Sequence, residues 1–143
     1  MKTKTFLFTV ISLFLLMGGA GCEKEALISD LYHTWKLEGI GDLSNNSFEK
    51  ADPSNCENCY TITFAKDGMF SGFTASNTFY GEYQIEVTKL KVNNFTATKV
   101  FELGNGEKYS QAIPRIVSFE TTKNELKLYY NEGQNYLLFN LLK

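Results

Sequence analysis

Two cysteines close together, in Cys56-Glu57-Asn58-Cys59, are the residues of this 143-residue chain whose type and spacing first point to chemistry. A CxxC pair exchanges disulfides when one thiolate is activated, or supplies half of a tetrahedral zinc site. Zinc would need a second Cys or His pair, and the chain has only one further cysteine, Cys22, and one histidine, His33. The N-terminus has the character of an export signal, and thiols of exported proteins oxidise. A structural disulfide between Cys56 and Cys59 is therefore expected. So short a closed loop removes little chain entropy, so the bridge should act locally, stiffening the loop that runs into Tyr60.

Other chemistry fails by inventory. His33, beside Tyr32 and Trp35, is the only possible member of a triad or a multi-histidine metal site, and a packed structural role is expected for it. Acids such as Asp52, Asp67, Glu82, Glu86, Glu102 and Glu107 are scattered, with no pair placed across a cleft as glycoside hydrolysis requires. Glycines fall in turns rather than in a phosphate-cradling loop before a helix. No enzyme, metal or cofactor is predicted. Arg115 is the only arginine. If Ile113-Pro114-Arg115-Ile116 is an exposed connection held extended by the proline, Arg115 fits an acidic specificity pocket. If Ile113 packs in the core, Arg115 is a strand residue facing water. The candidate partner-binding residues are therefore Asn55, Glu57 and Asn58 on the cysteine loop, and Ile113, Pro114, Arg115 and Ile116.

At the N-terminus, Lys2 and Lys4 precede an apolar run over residues 6–17, then Gly18, Gly19, Ala20, Gly21 and Cys22. Basic, apolar and small residues in that order make a secretory signal, and the run is shorter than the ~20 residues of a membrane span. Ala20-Gly21-Cys22 resembles the bacterial lipobox, with Gly19 standing where an aliphatic residue is usual. The expectation is a signal peptide over 1–21, a lipidated Cys22 (palmitate among its acyl chains) with a tether over 22–28, and a domain over 29–143. Several acyl chains supply what stable anchoring needs. Of 14 basic and 16 acidic residues the leader removes only Lys2 and Lys4, so the mature charge is −4. Such a domain has no basic patch for nucleic acid or anionic lipid, and the lipid is its only expected membrane contact.

The elements that would position these residues are read from alternation. With 12 Phe, 8 Tyr and 1 Trp against 2 Pro, the composition suits pleated, half-buried strands. The spacing of Leu27, Ile28, Leu31 and Tyr32 predicts a short helix. Strands are expected over residues 35–40, 60–64, 69–73, 79–87, 89–95, 96–103, 115–120, 125–130 and 135–142. Lys66-Asp67-Gly68, Asn93-Asn94, Thr122-Lys123-Asn124 and residues 131–134 read as turns. Residues 42–58 read as one long polar loop containing Pro53, and loops of that length are usually functional or disordered. Residues 107–113 predict one or two helical turns, closed by Pro114. The fold class is mainly β: an antiparallel up-and-down meander closing into a barrel of about eight strands, with one or two short helices.

Phe64, Gly68, Gly72, Asn77, Gly81 and Tyr83 stand in an order and spacing that resembles the META domain of small envelope lipoproteins, the heat-shock lipoprotein-like family. Trp35-Lys36-Leu37 resembles that domain's opening strand, Glu107, Tyr109 and Ala112-Ile113 its short helix, and Leu126-Lys127-Leu128-Tyr129 with Leu137-Leu138-Phe139 its last hairpin. Ala75-Ser76 replace a frequent Gly-Cys, and a later cysteine is missing around residues 96–98. The resemblance implies structural roles for Trp35, Gly72, Asn77, Gly81 and Tyr83 and no common catalytic site. By size, anchor and architecture the chain is also similar to the potempins of oral Bacteroidetes, lipoproteins that protect the cell surface from the bacterium's own peptidases. That similarity implies a secreted peptidase partner, serine or metallopeptidase, met by a monomer in a 1:1 complex. The expectation is a non-enzymatic, outer-membrane lipoprotein, facing the cell surface or else the periplasm, that inhibits such a peptidase. Alternatives are a META-type structural or stress-related lipoprotein without a peptidase partner, and a carrier of a small apolar ligand. Abundant large aromatics, which would fill a barrel of about eight strands, count against the carrier.

Overall fold

The computed structural model describes the backbone of residues 20–143 and side chains from Glu25 onward. Most of the expected leader and the Cys22 side chain lie outside the described residues. Helix α1 (Ala20–Leu31) leads into β1 (Thr34–Asp42), β2 (Ser47–Lys50), β3 (Thr61–Phe64), β4 (Met69–Phe73), β5 (Thr78–Glu86) and β6 (Lys89–Ala97). Helix α2 (Gly106–Ala112) and a 3-10 turn (Ile113–Arg115) precede β7 (Ile116–Thr121), β8 (Glu125–Tyr130) and β9 (Asn135–Leu141). All pairings are antiparallel, and β9 returns to β1. The result is the expected mainly β meander, a closed eight-stranded barrel with β2 as an extra strand.

Alternation drives closure, because along most of the barrel strands every second residue turns an apolar side chain inward. Trp35 and Leu37 of β1, Phe70 of β4, Phe79 of β5 and Phe139 of β9 are all buried. Tyr109 of α2 plugs the interior, its ring 5.8 Å from those of Tyr60 and Phe79 and 6.0 Å from that of Phe139, its hydroxyl donating to the Thr61 carbonyl at 3.1 Å. The family glycines make room for this packing. Phe70 pairs with Gly81 and Gly72 with Phe79, so on adjacent strands each ring covers the other strand's glycine. Trp35 donates its indole N–H to the Leu31 carbonyl at 3.0 Å and fastens the end of α1. Tyr83 donates to the Ala65 carbonyl at 2.6 Å and closes the β3–β4 turn.

Connections of a meander alternate between the two ends. Helix α1 runs directly into β1 and shares its end with the turns at 65–68, 87–88 and 122–124. The opposite, distal end carries the connections over 74–77, 98–115 and 131–134. Because β2 and β3 lie one after the other along the same edge of β1, residues 51–60 form an excursion between them on the distal side.

The structure revises several expectations. The loop over 42–58 contains β2, whose four residues are all exposed, so no inward pattern announces it. Residues 89–97 form one strand: Asn94, with a φ of 50°, makes a bulge opposite Gly81 instead of a turn. Residues 98–103 are irregular loop, not strand. Helix α1 begins at Ala20, so the segment expected as a tether is helical. The seam between β6 and β7 pairs only at Lys89↔Ser118, and an open cleft of about 580 Å³ lies there, lined by Ile85, Leu90, Ile116 and Val117.

Burial raises the Tyr83 phenol from 10.0 to about 12 and that of Tyr109 well above its ordinary value. Below pH 10 these phenols are protonated in folded and unfolded chains alike. Between pH 10 and 12 the unfolded chain releases protons that the folded one keeps, so stability must fall as pH rises. We expect urea midpoints to hold up to about pH 9 and drop steeply above pH 10, together with tyrosinate absorbance. A midpoint unchanged at pH 12 would contradict this.

Candidate functional site

At the distal end three connections brace one another: residues 51–60, 74–77 and 98–105. The first is shaped by Lys36, on the outer face of β1. Its ammonium donates to the carbonyl oxygens of Cys56 at 2.6 Å, Glu57 at 3.1 Å, and Cys59. Cys56 and Cys59 form the expected disulfide, with Cα atoms 5.4 Å apart. The bridged loop therefore wraps a lysine whose three donors are all used. Burial against these carbonyls lowers the Lys36 pKa, and the charge of Glu57 partly opposes that shift.

Tyr60 links all three connections. Its backbone N–H donates to the Thr74 carbonyl at 3.2 Å, and its hydroxyl to the carbonyls of Asp52 and, at 3.3 Å, Leu103. Burial, then the nearby Glu102 and Asp52 carboxylates, push this phenol up to about 12. Its φ of 57° is strained for so bulky a residue, and the surrounding bonds hold it there. Asn105 adds a second bridge, accepting from the Asp52 N–H at 3.0 Å and donating to the Lys50 carbonyl at 2.9 Å. Gly104 allows the approach: at φ +54° a Cβ there would stand 1.8 Å from the Asp52 carbonyl oxygen.

Asn77 is the clip for the third connection. Its amide donates to the Val100 carbonyl at 2.8 Å and to Glu102 at 2.5 Å, and its oxygen accepts from Val100 N–H at 2.7 Å and the Thr98 hydroxyl at 2.8 Å. Glu102 also accepts from the Thr74 hydroxyl at 2.5 Å and the Ser76 N–H at 3.2 Å. The Thr74 hydroxyl in turn accepts from the Asn77 N–H at 2.8 Å. None of these side-chain bonds stays within the turn of Asn77 itself: the residue joins two connections.

Among the polar residues that this junction exposes, the 98–103 strap holds three large apolar side chains in solvent. Val100 is 62 % exposed, Phe101 83 % and Leu103 55 %. The strap they form borders a cleft of about 700 Å³ beside α2, lined by Lys99, Glu107 and Gln111 as well as by Val100 and Phe101. Asn55, Glu57 and Asn58 are exposed on the bridged loop, as expected of contact residues. Of the second candidate segment, Pro114 and Arg115 are exposed, but Ile113 and Ile116 are buried at 0 % and 4 %. Both isoleucines anchor the 3-10 turn in the core and offer almost no surface to a partner. The Arg115 guanidinium donates to the Gln111 carbonyl at 2.9 Å and to the Asn131 side chain at 3.3 Å.

Sequence reasoning missed Lys36 and the 98–103 strap. Nothing in the sequence marks Lys36. For the strap a signal existed: Val100 and Phe101 are adjacent apolar residues that break strand alternation, just ahead of Gly104-Asn105-Gly106. Among the described residues no three His, Cys, Asp or Glu side chains converge as a metal site would need, and no helix is long and apolar enough to cross a membrane. The arrangement offers a braced contact surface.

Comparison with known proteins agrees with this fold. Residues 29–141 match the META domain. A Tannerella forsythia protein named as a lipoprotein is 30% identical over 148 residues, covering 100% of this chain and 99% of the relative. Among solved structures, a protein from Burkholderia xenovorans aligns with TM-score 0.63 and 20% identity, over 78% of this chain and 83% of that one. A DUF4847 family protein from Bacteroides vulgatus aligns with TM-score 0.58 and 17% identity, over 77% and 92%. At these identities the structures speak for the fold alone.

Proposed function

Since this chain belongs to the META domain family, we propose that it is a lipid-anchored envelope protein that makes and breaks no bonds and acts by binding a secreted peptidase as its inhibitor. The observation that carries the reading is the braced strap that holds Val100, Phe101 and Leu103 in solvent at the end opposite α1, the helix that contains Cys22. A scaffold tethered at one end and rigid at the other loses little entropy when its free end docks, which is how small inhibitors become tight ones.

The leader and Cys22, together with a full-length relative named as a lipoprotein, support the anchor. Glu23-Lys24-Glu25, an acid-containing stretch after the cysteine, supports placement on the outer membrane facing the cell surface. The interior filled by Trp35, Phe79, Tyr109 and Phe139 counts against a carrier of apolar ligands.

Two measurements test this reading. The soluble form starting at Glu23 should slow at least one secreted peptidase from a serine and metallopeptidase panel at near-stoichiometric ratio. Complete digestion by all of them, with no complex on gel filtration, would leave the META-type envelope lipoprotein without a peptidase partner. Cys22→Ala should shift the protein from the membrane fraction to the soluble one, and unchanged fractionation would remove the anchor.

A further inference from the structure

Resting on the peptidase reading, we infer that Phe101 is the anchor side chain of the inhibitory contact, and that the target is an endopeptidase whose primary pocket takes large apolar residues. The alternative anchor, Arg115, sits on a three-residue turn between two core isoleucines, its guanidinium already bonded to Gln111 and Asn131. That turn cannot run along an active-site cleft, which grips several consecutive extended residues. The 98–103 strap can, being irregular in structure and exposed at Lys99, Val100, Phe101 and Leu103.

Its bracing matters more than its exposure. Both backbone polar groups of Val100 are held by Asn77, and the Glu102 carboxylate is held by Thr74, Ser76 and Asn77. Phe101 lies between these two fixed residues and is itself 83 % exposed. A solvated ring on a backbone braced at both sides is a convex apolar knob whose place on the surface is settled before binding. Its complement is a concave apolar pocket in a partner, where aromatic anchors become hot spots. An acidic pocket would be filled poorly by this ring, so an anchor at Phe101 does not suit a trypsin-like target. The strap also stands at the end away from α1, beyond β1 and β5, nine-residue strands that run roughly 30 Å along their length.

The test uses the soluble protein against chymotrypsin and thermolysin, which accept large apolar side chains, with trypsin as comparison. Wild-type protein should inhibit one of the first two and spare trypsin. Phe101→Ala should weaken that inhibition at least about 30-fold, as loss of a hot-spot anchor does. Val117→Ala, also at an exposed apolar position, should leave it unchanged. Because Phe101 is solvent-exposed, its alanine variant should melt like the wild type, so lost inhibition would report contact and not unfolding. Equal inhibition by Phe101→Ala and wild type would overturn this inference while the peptidase reading stood. So would inhibition of trypsin alone, abolished by Arg115→Ala. Failure to inhibit any peptidase would sink both.

Discussion

Gly72→Ala is expected to cost about 3 kcal/mol of stability or more, the upper part of the range for overpacking a filled site. A Cβ at Gly72 would lie 2.0 Å from the Thr61 carbonyl oxygen and 2.5 Å from the Phe79 ring. The ring could turn aside, but the carbonyl is backbone of β3 and also receives the Tyr109 hydroxyl. Relief therefore requires β3 and β4 to part where Ile62 faces Gly72, next to the plug that fills the barrel. Ser71→Ala, one residue away on the exposed face, should change stability by no more than about 0.5 kcal/mol. Urea denaturation of the pair separates the two effects. Equal midpoints would show that the family glycine is not a requirement for space.

Asn77→Ala is the second large effect, expected at about 2–4 kcal/mol, because the residue is 5 % exposed and its loss strips partners from Val100 and Glu102. The 98–103 strap should then exchange its amide protons freely, and inhibition should weaken although no contact residue has changed. Asn77→Asp discriminates further. It keeps the acceptor oxygen but sets a second carboxylate where the amide nitrogen now meets Glu102 at 2.5 Å. Two carboxylates so close raise the folded-state pKa of one of them, so the variant should be near its best below about pH 4 and lose stability as pH rises through the raised value. An Asp variant as stable as wild type at pH 7 would show that the amide's donated bonds do not hold the strap.

How much of this was legible beforehand varied with the reach of the interaction. Gly72, Asn77, Gly81 and Tyr83 stood out by spacing, and the structure gives the spacing its reason. Phe70 and Phe79 each need a glycine opposite on the neighbouring strand, and Asn77 must clip the connection that leaves β6. The Cys56–Cys59 bridge was legible because its partners are three residues apart. Ile113 and Ile116 were misjudged as contact residues, because a segment marked by Pro114 and Arg115 reads as exposed until α2 is seen closing the barrel. Asn93-Asn94 was misjudged as a turn, because the left-handed conformation that Asn tolerates serves a bulge as readily as a hairpin.

Alternating apolar residues, turn glycines and a lone cysteine after a basic, apolar and small-residue run act within a few residues of one another, so the chain alone specified a β meander, most of its hairpins and the expectation of an anchor. The braced distal surface belongs to the tertiary structure. Lys36 meets the cysteine loop, Tyr60 meets Leu103, and Asn77 meets Val100 only after the barrel has closed. Which side chains such a closure leaves in solvent, Phe101 above all, depends on distances through space that no local pattern encodes.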